Sequence, residues 1–344
     1  MIFILLILLI LCIWGLRLVK DNPDYISIKA TIPIKGIFAV IILSSHIGSY
    51  LSLEPSLANI IYYRIIGYIG QCMVAPYFFY SGYGIFLSYR NKADYVSGFI
   101  KKRWLKTQLH FDLSVLIIIG IQLFFSIYYP LRNYVFCWIA WESVGNYNWF
   151  VFVILALYLL TYIGLFLDNK LSGDGRLLLT LIILLSGLLW VFLRLGARKE
   201  SWWFDTIATF PLGMLYAFYR DKVEKWLLES NVGWLFSFFG LLAAYVAWHF
   251  AFGVDSFGIC SCLFCLFIVV ATMKIKIGNP VLVFLGRNAF PIYILQRLPM
   301  LLLARYDINL HPAFFIPLTI LLVLPFSEVF RRLTVMMDRH WLHV

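Results

Sequence analysis

Lys35 and His46 stand eleven positions apart in an apolar run, Ile34 to Gly48, that holds no other ionisable side chain. At about 100° per residue, eleven helical steps come to roughly three turns, so the two side chains share one stripe of a helix about 16 Å apart. In a membrane, one basic group then lies near a surface and the other well inside a hydrocarbon core about 30 Å thick. Ionisable side chains at that depth are costly and are read first as functional. The chemistry such a pair supports is proton transfer by an imidazole, which titrates near neutral pH, beside a fixed positive charge able to hold an anionic substrate. A blander reading stands next to it: the histidine hydrogen-bonds to a neighbouring helix and the lysine snorkels to anchor topology.

The elements that must position this pair follow from composition. Of 344 residues, 62% are hydrophobic and only 13% charged, and long uncharged runs recur from end to end. That excludes an ordinary soluble domain and predicts an all-α, polytopic integral membrane bundle in one membrane domain, 1–344. The net charge of +11 is then assigned to membrane topology and anionic lipid headgroups, with no nucleic acid as partner. The six cysteines lie mostly in apolar runs. Cys260, Cys262 and Cys265 have a metal-like spacing but no histidine or carboxylate beside them, so they read as small packing residues and no metal is predicted.

In chain order, Met1 to Trp14 is an uncleaved first span with Arg17 and Lys20 behind it, giving an additional N-terminal helix within residues 1–18. The second span, about 32 to 52, carries Lys35 and His46. A glycine-rich span through Gly67, Gly70, Pro76, Ser81, Gly82 and Gly84 is built for close helix approach and irregular backbone. The densest basic loop follows, with Arg90, Lys92, Lys101, Lys102, Arg103 and Lys106. Further spans are expected at about 108–129, 148–167, 177–193, 205–219, 232–251, 257–273, 287–304 and 312–330, with Val281 to Gly286 as a short interfacial piece. About eleven spans result. The positive-inside rule then places the N-terminus outside and the C-terminus in the cytoplasm of a plasma (inner) membrane, with Arg64, Arg132, Arg194, Arg198, Lys199 and Arg305 as the few outer cations.

These residues resemble the membrane-bound acyltransferase family 3. The resemblance lies in Lys35 with His46, in Pro76-Tyr77-Phe78-Phe79-Tyr80-Ser81-Gly82-Tyr83 and in Arg103 with Lys106. It continues in Asn148-Trp149-Phe150 with Tyr158, in Phe210-Pro211-Leu212-Gly213 and in Leu285-Gly286-Arg287-Asn288 with Ile292-Tyr293. It covers a core of residues 32–332, with ten family spans after the extra first one. Two positions depart from the pattern: Ala289 stands where serine is common, and Gln296 where a histidine often follows Ile-Tyr. Glutamine can hydrogen-bond but cannot take up a proton near neutral pH.

The resemblance implies acyl transfer, usually of acetyl, from acetyl-CoA as co-substrate to a hydroxyl of a cell-surface polysaccharide, glycan precursor or glycolipid. It implies His46 as base and Lys35 as a catalytic and donor-placing cation. Arg103 and Lys106 would hold the CoA phosphates, and Ser81, Tyr83 and Trp149 would lie on the substrate side. Positive-inside anchoring also accounts for Arg103 and Lys106, a helix contact for Ser81, and an interfacial aromatic belt for Trp149, Trp202 and Trp203. His249, Glu328 and Asp112 read as structural or interfacial, with Asp112 able to orient a partner. His110, His311, His340 and His343 carry no signal. The rival class is a transporter or flippase of a glycan or lipid, although the chain shows no internal half-repeat or matching pair of broken helices. An inactive membrane scaffold is a third reading.

Overall fold

The computed structural model describes residues 1–253 and 257–342; His343 lies outside the described residues. Among these, the chain is 79% helical. Strand is confined to a two-residue antiparallel ladder, β1 (Arg17–Leu18) against β2 (Ile275–Lys276). The helices of seven residues or more are α1 (Ile2–Trp14), α2 (Ile28–Gly48), α3 (Leu57–Ile69), α4 (Ala75–Asn91), α5 (Tyr95–Phe124) and α6 (Trp149–Leu171). After these come α7 (Arg176–Gly196), α8 (Thr209–Glu229), α9 (Asn231–Phe252), α10 (Phe257–Thr272), α11 (Pro280–Arg287), α12 (Ala289–Leu295), α13 (Arg297–Arg305) and α14 (Pro312–Leu342).

Local chemistry sets many of the boundaries. Ser27 and Asn279 accept from Ala30 N and Leu282 N and so cap α2 and α11, satisfying donors that a helix start leaves unpaired. Pro280 and Pro312 occupy first-turn positions, where a missing N–H costs nothing. Gly70, at φ 44°, breaks the chain between α3 and α4, and any side chain there would strike the Phe257 ring.

Six of these helices, α2, α5, α6, α7, α9 and α14, are long and apolar enough to cross a membrane. Of the eleven or so spans expected, α1 and α10 are apolar but shorter helices, and three more are built differently. The stretch 67–84 is interrupted at Gly70 by a single 3₁₀ turn. Helix α8 is long, but its second half carries Arg220, Asp221, Lys222, Glu224 and Lys225. The stretch 287–304 is divided at Asn288 and Gln296 into short helices. Val281 to Gly286, expected as an interfacial piece, belongs to α11, which packs directly on α2.

Two backbone-to-backbone crossings fix the centre of the bundle. A Cβ on Gly36 would collide with the Leu282 carbonyl and one on Gly286 with the Ile32 carbonyl, so α2 and α11 touch main chain to main chain. Likewise Gly82 faces the Phe210 carbonyl and Gly213 the Phe79 carbonyl, joining α4 to α8. Small residues permit this approach where lipid offers no hydrophobic drive for helix association. At one end of the bundle Asp168, fully buried, ties three helices together. It accepts from Gly175 N (3.0 Å) and Leu178 N (3.2 Å) at the start of α7, from Ser172 Oγ (3.1 Å), and from the Tyr89 hydroxyl of α4 (2.7 Å).

Gly213→Leu should destabilise the detergent-solubilised protein by more than ~3 kcal/mol or prevent folding, since backbone atoms cannot move aside as side chains can. Asp168→Ala, which leaves buried donors unpaired, should lower stability by about 1–3 kcal/mol. Thermal unfolding followed by size-exclusion chromatography checks both; wild-type melting in the glycine variant would refute the crossing.

Candidate functional site

A cavity of about 780 Å³ lies between α2, α4, α5, α6, α8 and α12. Five cations line it, Lys35, Lys102, Arg103, Lys106 and Arg220, against a single carboxylate, Asp24. Two of these cations are neutralised from outside the cavity: Arg220 by Glu224 at 2.6 Å and Lys106 by Asp338 at 2.7 Å. Asp338 also bonds His110 Nε2 at 2.8 Å, and His110 is itself on the cavity wall. Lys35, Lys102 and Arg103 share the remaining wall, Lys102 exposed and the other two half-buried. Among the described residues, none of the three is in an ion pair.

The two half-buried cations, Lys35 and Arg103, meet tyrosines instead. Lys35 Nζ stands 5.7 Å from the centroid of the Tyr80 ring, and the Lys35 carbonyl accepts from the Tyr77 hydroxyl at 2.7 Å. Arg103 lies among Tyr95 and Tyr158, and the Tyr158 hydroxyl bonds Ser81 Oγ at 3.0 Å. Arg103 is carried on a π-helical turn, Ile100–Leu105, inside α5; such widened turns are frequent at functional sites. The Tyr83 hydroxyl is buried with no hydrogen-bond partner. Just beyond the wall, Tyr25 bonds Tyr216 hydroxyl to hydroxyl at 2.6 Å. Burial first, and Tyr216 second, hold the Tyr25 phenol far above its ordinary range, so it stays neutral at any physiological pH.

His46 lies beyond the other end of this space. Ile42, one helical turn before it, lines the cavity, and His46 does not. The imidazole stacks on Tyr147, centroids 3.7 Å apart at 16°, and the Tyr147 ring is 6.4 Å from that of Tyr293, a cavity residue. Tyr293 thus lies on the cavity wall and beside Tyr147, the ring on which the histidine stacks. Gln296, fully buried, lies beside the imidazole and donates its Nε2 to the Tyr293 carbonyl at 3.2 Å. His46 Nδ1 and Gln296 Oε1 are both buried and unpartnered.

Of the residues singled out from the sequence, Lys35, Ser81, Tyr83, Arg103 and Lys106 therefore meet in one cavity. His46 is adjacent to it. Trp149 is not in it: the ring is 9% exposed and packs edge-on against Phe150. Glu328 accepts from Arg331, Arg332 and Asn288, and Asp112 from Gln108, which also holds the Trp138 carbonyl. His249 packs among Tyr68, Tyr245 and Phe257.

Sequence reasoning passed over His110 and Arg297. Nothing local marks His110, because its partner Asp338 is 228 residues away. Arg297 did leave a signal, a charge within an expected span.

The chain matches the family model described as an acyltransferase domain, that of acyltransferase family 3, over residues 34–331. It belongs to that family of acyltransferases, and it is a multi-pass membrane protein. No curated protein and no solved structure matches it significantly.

Two like charges facing each other in a cavity weaken the fold that holds them. Lys35→Met should melt at or above the wild type, with a gain of up to about 1 kcal/mol, in differential scanning fluorimetry of the solubilised protein. A drop of several degrees would show that Lys35 is held by a stabilising partner.

Proposed function

We propose that this acyltransferase moves an acetyl group from acetyl-CoA to a hydroxyl of a cell-surface glycan or glycan precursor, with the cavity as donor site and His46 as general base. The observation that carries the reading is the pairing of Lys35 and Arg103, two cations without carboxylate partners in a cavity of ligand size. A polyphosphate donor supplies the negative charge that the protein leaves out. Arg103 suits phosphate through its planar fork of donors and Lys35 as a point charge. Lys106, already paired with Asp338, shapes the rim and gives a weaker phosphate contact. Under the positive-inside rule this cationic end faces the cytoplasm, where acetyl-CoA is found, and the N-terminus lies outside.

With its phosphates on Lys35 and Arg103, the donor's thioester end points along α2 past Ile42 and Tyr293 towards His46. The buried Tyr293 hydroxyl, which has no partner, is the donor group that end meets. Gln296 has its amide nitrogen committed to the Tyr293 carbonyl, so Oε1 faces the imidazole as an acceptor. Pairing Nδ1–H with Oε1 leaves Nε2 free as the base. The acceptor hydroxyl gives its proton to Nε2 as its oxygen attacks the thioester carbonyl carbon. The tetrahedral oxyanion collapses, the C–S bond breaks, and the leaving sulfur takes the proton back as CoA thiol. In this arrangement Gln296 needs no proton of its own, so its replacement of a histidine does not interrupt transfer. Ser81 and Tyr83 line the donor cavity, while Trp149 supports the wall through Phe150.

The test is acyl transfer from labelled acetyl-CoA to a cell-envelope glycan extract, in membranes with matched expression. His46→Ala should reduce transfer by about 10²- to 10⁴-fold, the worth of a general base. Lys35→Ala should raise the half-saturating acetyl-CoA concentration. Equal label transfer by wild type and His46→Ala would remove the histidine from the mechanism; uptake of a glycan without label transfer would favour the transporter reading.

A further inference from the structure

Arg297 opens α13 on the side of His46 opposite the donor cavity. Its guanidinium lies over the face of Tyr147, Cζ to centroid 5.0 Å, and Tyr147 is the ring on which His46 stacks. Its Nε donates to the Tyr50 hydroxyl at 3.1 Å. Tyr129 completes a neutral aromatic surround, and Asn309 fixes the Tyr50 backbone through its carbonyl. Among the described residues no carboxylate is in ion-pair distance of Arg297, and its two terminal amino groups make no hydrogen bond. The residue is half-buried within a stretch of membrane-protein composition. A guanidinium there is costly unless something negative meets it. Neutral phenols orient it and leave its bidentate edge free, the edge that matches a carboxylate or phosphate.

We infer that Arg297 is an anion receptor for the acceptor, and that the acceptor is therefore an acidic glycan, carrying a carboxylate or a phosphate within one sugar residue of the hydroxyl to be acylated. This rests on the reading of His46 as the base. The spacing is that of one aromatic ring: the anion sits on Arg297, the sugar passes the edge of Tyr147, whose faces the guanidinium and the imidazole cover, and its hydroxyl reaches His46. The protein then has two separate cationic sites, Lys35 with Arg103 for the donor and Arg297 for the acceptor, with His46 and Tyr293 between them. Sequence alone groups all such cations as membrane anchors, whereas the geometry separates them.

A binding measurement and a transfer measurement test this together, on the full-length protein in detergent and in membranes. In thermal-shift titrations at constant ionic strength, glucuronate or glucose 1-phosphate should raise the wild-type melting temperature by a few degrees and glucose should not. The larger of the two acid shifts distinguishes carboxylate from phosphate. Arg297→Gln should lose the shift, Arg297→Lys should keep part of it, and Lys35→Met should retain it, which excludes binding in the donor cavity. An equal shift with glucose, or a full shift in Arg297→Gln, overturns the proposal.

In the transfer assay, label from acetyl-CoA should appear in the glycan fraction retained on an anion exchanger. Arg297→Gln should raise the half-saturating amount of extract at least tenfold while leaving that of acetyl-CoA unchanged. Label confined to the unretained, neutral fraction overturns the inference. If the wild type transfers no label, the donor and base assignments fall, while the binding titration still decides Arg297.

Discussion

The structure depends on two places where main chain touches main chain. Gly36 against Leu282 and Gly286 against Ile32 hold α2 to α11, while Gly82 against Phe210 and Gly213 against Phe79 hold α4 to α8. In a bilayer, apolar side chains gain little by leaving lipid for protein, so tight packing must supply what water exclusion supplies elsewhere. Residues that line the cavity adjoin these glycines in sequence: Lys35 precedes Gly36, and Ser81 and Tyr83 flank Gly82. A side chain next to a contact that cannot yield by even a methyl group has little freedom to wander. The crossings therefore set both the fold and the geometry of the site.

Around this rigid centre the charges are arranged asymmetrically. Several cations are paired closely with carboxylates, as in Arg220 with Glu224, Arg331 and Arg332 with Glu328, and Lys106 with Asp338. Around Lys35, Arg103 and Arg297 stand tyrosines instead. A tyrosine accommodates a cation without cancelling its charge. The distinction divides the basic residues more sharply than their number does.

Much of this could be read from the sequence, for reasons that differ by residue. Composition alone pointed to the membrane bundle, and the spacing of Lys35 and His46 put both on one helix, α2. The six motifs in order pointed to the acyltransferase family that the domain match shows. The span count was less legible, because hydropathy averages over breaks made by single residues such as Gly70, Asn288 and Gln296. Trp149 could not be assigned from sequence, since an aromatic in an apolar chain has the same appearance in a core, a belt or a binding face. The Asp338 link to Lys106 and His110 joins distant parts of the chain and has no local signature.

The widened turn at Ile100–Leu105 changes the phase of α5. A π turn carries one residue more than an α turn, so everything after it is rotated by roughly 100° relative to an unbroken helix. Lys102 and Arg103 within the turn, and Lys106, Thr107 and His110 after it, all reach the same cavity wall. At a uniform ~100° per residue these five positions already fall within about 140° of one helix face, so spacing alone gathers Lys102, Arg103 and Lys106 into a cationic wall. The widened turn sits inside that wall and resets the phase of the apolar helix beyond it.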